Sequence, residues 1–184
     1  MEEDSLSWDS LQKRATTGRL QEAKISGMRP HNEFRFYRNH EYARQPKKAY
    51  ESDAGYDLCS CEFYKIEPNQ WQLVRTGLQF DIPNGWEIQI RPRSGLAAKK
   101  GITVLNSHGT IDCEYTGEIM IIIMNHGEFP FEIGPGDRIA QAVFAPVYPT
   151  LVVEINEEPI NKTRGSNGFG STGVWVCYNM IFYK

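Results

Sequence analysis

The sequence has no excess of positive charge, no long apolar run and few cysteines, and each absence excludes a class of protein. Its 184 residues include 20 Lys and Arg against 23 Asp and Glu, a net charge of −3, so no global positive field draws in nucleic acid. No apolar run approaches the ~20 residues that cross a bilayer. The acidic start, MEEDSLSWDS, lacks the features of a secretory signal. We expect a cytoplasmic protein, nuclear or organellar if eukaryotic, with no nucleic-acid or membrane partner.

Cysteine and histidine are scarce, which argues against disulfide and zinc frameworks. The four cysteines, Cys59, Cys61, Cys113 and Cys177, include no CxxC pair, and the chain has four histidines. A zinc site needs several Cys or His ligands at short spacing, and the sequence has no such cluster. We expect reduced thiols, with Cys59 and Cys61 on one face of a strand as small buried residues.

Turn residues and short apolar runs divide the chain into three parts. Residues 1–33 form a predicted polar extension, residues 34–160 a predicted β-domain, and residues 161–184 a Gly-rich closing arm with an aromatic tail. In the middle part, runs of aromatic and β-branched residues alternate with turn sequences such as IPNG and GPG, which is typical of an all-β sandwich or barrel. The candidate strands include Gln72–Thr76, Leu78–Ile82, Trp86–Arg91, Glu118–Asn125, Phe129–Ile133, Arg138–Ala145 and Leu151–Ile155.

One helix and one wholly apolar strand stand out in this domain. Ser94–Lys100 is predicted to be a short helix, with Ser94 as its N-cap and Gly101 at its end. The run IMIIIM, residues 119–124, is apolar at every position, so we expect both of its faces to be covered. In an all-β protein the second cover is often another subunit, and the run therefore indicates an oligomer.

Two segments combine charged and hydroxyl groups with turns. RPRSG, residues 91–95, places two guanidinium groups and a hydroxyl where a strand turns into a helix. This pattern favours anions, although a capped helix with solvated arginines has the same composition. In NSHGTIDCEYTGE, residues 106–118, Asp112 and Glu114 fall on one side of a predicted local strand. A carboxylate there suits a general base near a triphosphate, while a hairpin whose Asp and Asn satisfy turn groups is the commoner structure.

Two further segments leave a similar choice open. RGSNGFGSTG, residues 164–173, lacks the Lys and the spacing of a P-loop. Its Arg, aromatic ring and hydroxyls nevertheless suit closure over a nucleotide, and a tail without a role is the alternative. Asp57 suits a metal ion or a metal-bound water, or it ends a turn.

Taken in order, five segments match the motifs of one enzyme family. They are AGYDL (54–58), RPRSGLA (91–97), NSHGTIDCEYTGE (106–118), GDRIAQAVF (136–144) and RGSNGFGSTG (164–173). From about Phe34 to Gly173 the chain closely resembles the trimeric dUTP pyrophosphatases, or dUTPases. The resemblance implies a jelly-roll-like all-β fold with one short helix, assembled as a homotrimer with active sites at the subunit interfaces.

The resemblance also implies the activity. Water attacks the α-phosphorus of dUTP as pyrophosphate departs, which leaves dUMP for dTMP synthesis and keeps uracil out of DNA. The implied cofactor is Mg²⁺, held mainly by the triphosphate and through water by Asp57. The implied catalytic residues are Asp112, Ser94, Arg93 and Asp57. The implied substrate-binding residues are Gly95, Gln141, Asn106, Gly109, Thr110, Ile111, Tyr115, Met120, Arg164, Phe169, Gly170, Ser171 and Thr172.

Each implied group has its own task. Asp112 activates the water molecule and meets the 3′-hydroxyl, and Tyr115 excludes a 2′-hydroxyl. The uracil edge meets Asn106, the backbone of residues 109–111, and Met120 across a hairpin. The phosphates meet the group formed by Arg93, Ser94, Gly95 and Gln141. In the closing arm, Phe169 stacks on uracil, and Arg164, Ser171 and Thr172 meet the γ-phosphate.

The chain departs from the family pattern at two positions, and two other functions compete with hydrolysis. Asn167 stands where the family usually has a second Gly, and Thr116 replaces the Arg that often follows the gating Tyr. A binding or regulatory protein on the same scaffold is one alternative, but it has no need of Asp112, Tyr115 and Arg164 together. The related dCTP deaminase fold is the other, and Tyr115 with the TID turn favours dUTPase over it.

Overall fold

The described part of the chain, residues 33–158 and Thr163 of a computed structural model, consists mostly of short β-strands. Contacts divide the chain between Pro149 and Thr150, and the described part of the first unit, residues 33–149, is the β-domain. The strands are β1 (Arg35–Arg38), β2 (Gly55–Cys59), β3 (Tyr64–Ile66), β4 (Trp71–Arg75), β5 (Leu78–Asp81), β6 (Trp86–Arg91), β7 (Ile102–Val104), β8 (Gly109–Ile111), β9 (Met120–Asn125), β10 (Phe131–Ile133) and β11 (Arg138–Pro146). The helix α1 (Ser94–Lys100) joins β6 to β7.

All of these strands pair antiparallel. The largest sheet has the order β2-β11-β6-β8, a second has the order β4-β9-β7, and β1-β5 and β3-β10 form two-stranded sheets. Buried side chains from all four sheets form one apolar cluster. Burial of each large aliphatic side chain in it contributes about 2 kcal/mol. The predicted jelly-roll-like all-β fold is confirmed, with one short helix among the described residues. Within residues 33–158 no helix combines the length and the hydropathy that a membrane span requires.

The observed strands agree with most of the predicted ones. Trp86–Arg91 matches β6 residue for residue, and the others among the first six differ by at most two residues at either end. The predicted strand Leu151–Ile155 is wrong, because residues 151–155 form no strand and their apolar side chains are exposed. A short apolar run becomes a strand only beside a partner strand, and residues 33–158 supply none for this segment.

Helix α1 has the predicted limits but a different first cap. Arg93, in extended conformation, is the N-cap and makes no side-chain capping hydrogen bond, so the prediction of Ser94 as the cap is wrong. Gly101 ends the helix with a positive φ of 68°, and its N–H donates to the Ala97 carbonyl at 3.1 Å. Glycine adopts this left-handed conformation without the strain that a Cβ atom would add. The backbone therefore leaves β6 and reaches the helix through Pro92 and Arg93.

Strand β9, the wholly apolar run, has one covered and one open face. Ile121 and Ile123 are buried, whereas Met120 on the other face is 41% exposed. The outer face of this sheet continues the apolar surface through Trp71 and Leu73 of β4. This surface is called the outer apolar face below. Its side chains are Trp71, Leu73, Met120, Ile122 and Met124. The predicted cover of the second face is not supplied by residues 33–158.

Candidate active site

One cavity collects the predicted phosphate-binding residues. Strand β11 lies between β2 and β6 and places Gln141 opposite both Asp57 and Arg91. Residues directly opposite in antiparallel strands carry side chains on the same face, and Arg93 to Gly95 follow at the end of β6. The cavity, called the phosphate cavity below, has a volume of about 370 Å³. Its lining includes Asp57, Arg93, Ser94, Gly95 and Gln141.

Two arginines hold the Asp57 carboxylate in this cavity. Arg93 Nε lies 2.9 Å from Oδ1, and Arg138 Nη1 lies 3.0 Å from Oδ2. The Asp57 side chain is only 18% exposed, and charge-assisted bonds at partly buried sites fix geometry well. Arg93 Nη1 also donates to the Arg138 carbonyl at 3.1 Å. The ion pairs therefore tie the residues after β6 and the start of β11 to the middle of β2.

Gln141 is fixed by backbone on two sides. Its Nε2 donates to the Pro92 carbonyl at 2.9 Å, and its side chain lies against Gly55. A Cβ atom at position 55 would collide with Gln141 Oε1. The glycine of the AGYDL motif is thus needed because the Gln141 side chain packs directly against its backbone, and not because the backbone there has a positive φ.

The residues of the phosphate cavity fit Mg²⁺ that arrives with a triphosphate. Each Asp57 oxygen already accepts from a guanidinium group, and Arg91, Arg93 and Arg138 line the same cavity. A bare cation would be repelled by these arginines, whereas the triphosphate brings oxygen ligands and compensating charge. Asp57 keeps lone pairs that accept hydrogen bonds from a hydrated ion. Asp57 would therefore hold the metal through its water shell.

A second group of predicted residues lies on β8 and the turn after it. Gly109, Thr110 and Ile111 form β8, and Asp112 follows as an exposed residue. The Asp112 carbonyl accepts from the Tyr115 N–H at 3.1 Å. The prediction that Asp112 and Glu114 lie on a local strand is wrong, because the strand ends at Ile111 and a turn begins. Asn106 lies beside β8, with its Nδ2 3.3 Å from where a Cβ atom at Gly109 would be.

The Tyr115 side chain is held in place by Gly117 and Glu118, which follow it in the chain before β9. Its hydroxyl donates to the Glu118 carbonyl at 2.9 Å. Its ring lies so close to Gly117 that a Cβ atom there would come within 2.7 Å of Tyr115 Cζ. An alanine at position 117 would therefore push the ring out of place.

The Glu118 carboxylate anchors the end of this segment. Arg75 donates to it from Nε at 3.2 Å and from Nη2 at 2.8 Å, and the Gly77 N–H donates at 2.9 Å. Burial acts to raise the pKa of Glu118, but these hydrogen bonds outweigh it, and the pKa lies below its ordinary value. The bond to Glu118 raises the pKa of Arg75 in turn. Residues 112–118 thus return to the sheet at a fixed point.

The two groups of site residues lie at opposite ends of β6. β8 runs antiparallel to β6, with Ile111 opposite Ile88 and Gly109 opposite Ile90. Asp112 therefore continues towards the start of β6, while Arg93 follows its end. At roughly 3.3 Å per residue, these two positions are about 20 Å apart along the strand. A general base must reach its water molecule within hydrogen-bonding distance. One chain does not bring Asp112 to its own phosphate cavity.

Met120 and the closing arm stand apart from these groups. Met120 lies on β9, which pairs with β4 and β7, whereas β8 pairs with β6. The predicted hairpin between the TID segment and Met120 is therefore wrong, because the two strands belong to different sheets. The predicted arm residues lie outside the described residues. They are Arg164, Phe169, Gly170, Ser171 and Thr172.

The sequence interpretation missed two arginines near the site. Arg138 lines the phosphate cavity, and Arg75 holds Glu118. Arg138 belongs to the GDRIAQAVF motif, so its position in a motif was the available signal. Arg75 carries no motif signal, and its partner is 43 positions away in the chain.

Comparisons with known proteins agree with this geometry. The family model described as dUTPase matches residues 41–173. A deoxyuridine 5′-triphosphate nucleotidohydrolase of Nautilia profundicola is 53% identical over 131 residues, which cover 71% of this chain and 89% of that protein. A dUTPase of Staphylococcus bacteriophage 80alpha, solved with dUpNHpp, is 27% identical with a TM-score of 0.72. It covers 78% of this chain and 99% of that one.

A further solved structure mentions a metal ion. It is a mutant dUTPase from phage phi11 of S. aureus, described with the coordination of a structural Mg(II) ion. It is 25% identical, with a TM-score of 0.64, and covers 68% of this chain and 98% of that one.

Fold and comparisons together define a hydrolase of nucleotide metabolism. The chain belongs to the dUTPase family. The predictions of this family, and of an enzyme of the dUTP diphosphatase type, are confirmed.

Proposed function

We propose that this chain hydrolyses dUTP to dUMP and pyrophosphate, and so keeps uracil out of DNA and supplies dUMP for dTMP synthesis. The observation that carries the proposal is the phosphate cavity, where Asp57, Arg93 and Gln141 are held in fixed relation by ion pairs and a hydrogen bond. Hydrolysis of a phosphoanhydride bond depends mainly on positioning of the reacting groups and on stabilisation of charge. The relatives' names support dUTP as the substrate.

The phosphate cavity binds the triphosphate and stabilises the leaving pyrophosphate. Arg93 and Ser94 meet the phosphates near the bond that breaks, and Gly95 and Gln141 complete the contacts. Mg²⁺, when bound, neutralises charge on the phosphate oxygens, and Asp57 orients its water shell. The pairing of Asp57 with two arginines supports this indirect role.

Asp112 accepts a proton from the attacking water molecule while the oxygen of that water bonds to the α-phosphorus. The bond from that phosphorus to the bridging oxygen breaks, and the electron pair leaves with pyrophosphate. Tyr115 lies under the deoxyribose and excludes a 2′-hydroxyl, while Asn106 and the backbone of 109–111 read uracil. Arg164, Phe169, Gly170, Ser171 and Thr172 close over the nucleotide.

We propose a homotrimer in which each site takes groups from different chains. The separation of Asp112 from Arg93 along β6 supports this, because the two groups act on one substrate only if another chain supplies one of them. The outer apolar face, with Trp71 59% and Leu73 38% exposed, supports a subunit contact. We further propose cytoplasmic localisation, and the domain limits given above stay predictions.

A nucleotide panel tests the activity. Purified protein with Mg²⁺ is expected to release pyrophosphate from dUTP at least about a hundredfold faster than from UTP, dCTP or dTTP, because a fitted polar site rejects added or missing groups. Pyrophosphate release is measured for each nucleotide. Absence of release from dUTP would contradict the proposal, and ammonia from dCTP would indicate the deaminase alternative.

In the same nucleotide panel, the Gly117→Ala variant tests whether Tyr115 discriminates deoxyribose from ribose. Because a Cβ atom at position 117 displaces the Tyr115 ring, we expect the ratio of kcat/KM for dUTP over UTP to fall about tenfold. Thr116→Ala, one residue earlier and without this contact, is the matched control. An unchanged ratio in Gly117→Ala would show that Tyr115 does not discriminate the sugar.

A charge on the outer apolar face tests the trimer. Leu73→Glu is expected to give a monomer without dUTPase activity, because burial of an unpaired carboxylate costs several kcal/mol. Sedimentation velocity measures the mass, and Phe63→Glu, at a side chain that is 82% exposed outside this face, serves as the control. A monomeric Leu73→Glu protein with full activity would rule out shared sites.

A further inference from the structure

A second cavity, rich in positive charge, opens beside the phosphate cavity. It has a volume of about 600 Å³ and is lined by Arg38, Arg44, Lys47, Lys48 and Arg138, with Asp57 as its acidic residue. The chain as a whole has a net charge of −3, so this concentration of cations is not a general property of the surface. The cavity is called the cationic cleft below.

Three cations of the cleft have no ion-pair partner in the described part of the chain. Within residues 33–158, no ion pair joins Arg38, Arg44 or Lys47 to an acidic side chain. Asp57 is already shared by Arg93 and Arg138. Cations focused in a concave site attract small anions strongly.

The backbone holds the walls of the cleft together. The Asp57 N–H donates to the Lys47 carbonyl at 2.8 Å, which joins the segment before β2 to that strand. On the other side, the Gly136 N–H donates to the Ser60 carbonyl at 2.8 Å. The backbone of Lys47 is therefore tied to β2, and the segment just before Arg138 is tied to the residue that follows β2.

The cleft and the phosphate cavity share part of their lining. Ala49, Asp57 and Arg138 line both. An anion released from the phosphate cavity thus reaches the cationic cleft beside Arg138, which lines both. Of the two products of the proposed reaction, pyrophosphate is small and carries most of the charge, and guanidinium and ammonium groups match its oxygens.

We infer that the cationic cleft is a second polyphosphate site, which receives pyrophosphate after it leaves the phosphate cavity. Arg44 and Lys47 are the residues specific to this site, since neither lines the phosphate cavity. The inference rests on the proposed function for the source of the anion. Binding of pyrophosphate to the cleft itself does not depend on catalysis.

Calorimetric titration with inorganic pyrophosphate tests the second site. The full-length protein is first saturated with Mg²⁺ and dUpNHpp, a dUTP analogue, so that the phosphate cavity is filled. We expect one further pyrophosphate per chain, with an affinity that falls as salt screens the cations. The Arg44→Gln/Lys47→Gln double variant should bind it about tenfold or more weakly.

A matched double variant and two separate outcomes make the test decisive. Arg35→Gln/Lys65→Gln removes the same types of charge outside the cleft, where each is paired with a glutamate, and should bind pyrophosphate as the unaltered chain does. No extra pyrophosphate on the analogue-bound protein would overturn the inference, whether the triphosphate tail or a neighbouring chain fills the cleft. Equal affinity in the Arg44→Gln/Lys47→Gln variant would overturn it too. Failure of the proposed function is seen separately, as absence of dUTP hydrolysis.

Discussion

Asp112→Asn is expected to lower kcat for dUTP hydrolysis by about 10²- to 10⁴-fold, because the amide does not accept the proton of the attacking water. Asp112 is exposed in the turn after β8, and no side-chain hydrogen bond or ion pair of this residue is found within residues 33–158. The substitution keeps the size of the side chain, so folding and nucleotide binding should be preserved. Single-turnover release of pyrophosphate measures the effect, and analogue binding verifies the fold.

Glu114→Gln supplies the control for this experiment. Glu114 is exposed in the same turn, two residues further on, and the amide again keeps the side-chain size. If the Asp112 carboxylate is the base, Glu114→Gln retains near-normal kcat. Comparable losses in the two variants would mean that the acidity of the turn matters rather than one positioned carboxylate, and the proposed role of Asp112 would fail.

Glu118→Gln is expected to lower the free energy of unfolding by about 2–3 kcal/mol. The Glu118 side chain is 13% exposed and accepts from Arg75 and from the Gly77 N–H. Loss of its charge leaves the Arg75 guanidinium with weaker partners in a partly buried place. Urea unfolding at one protein concentration measures the change, since association with other chains would also contribute to stability.

Glu62→Gln is the matched control for the Glu118 variant. Glu62 also contacts Arg75, at 2.6 Å, but its side chain is 36% exposed. Solvent screening limits an exposed pair to about 0.5–1 kcal/mol, so the Glu62 variant should lose less than the Glu118 variant. A larger loss for Glu62→Gln would show that burial does not set the strength of this network.

The contribution of Glu118 to the free energy of unfolding should also decrease as the pH falls. Its pKa in the folded chain lies below the ordinary value, which is about 4.3 in model peptides. The stabilisation is therefore complete above that ordinary value and is lost as the pH falls through the lowered folded pKa. The difference in unfolding free energy between the unaltered chain and Glu118→Gln should shrink on acidification. A difference that grows below about pH 4 would contradict this assignment.

Local sequence patterns predicted the individual strands and the helix of the site better than they predicted how these elements pair. Trp86–Arg91, the helix at Ser94 and its end at Gly101 follow from apolar periodicity and turn chemistry within a few residues. The strand pairing does not follow from such patterns, because it joins distant segments. Only the register of β11 shows that Gln141 lies opposite Asp57 and Arg91.

The same limit explains the errors around the TID segment. The resemblance implied a hairpin between the TID segment and Met120, but β8 and β9 enter different sheets. The turn at Asp112 and the Glu118 anchor make this crossing possible, and Arg75 comes from a segment 43 positions earlier. Likewise, Leu151–Ile155 has the pattern of a strand without a partner strand in residues 33–158. Sequence alone carries no signal for such partners.

The antiparallel run of β8 along β6 has a genetic consequence. In the trimer we propose, each site combines the Asp112 end of one chain with the Arg93 end of another. A chain that carries a substitution at Asp112 then inactivates the site to which it supplies Asp112. The site to which the same chain supplies Arg93 stays active if its Asp112 comes from an unaltered chain. Two alleles, one defective at Asp112 and the other at Arg93, therefore complement each other in mixed trimers, although each alone encodes an inactive enzyme.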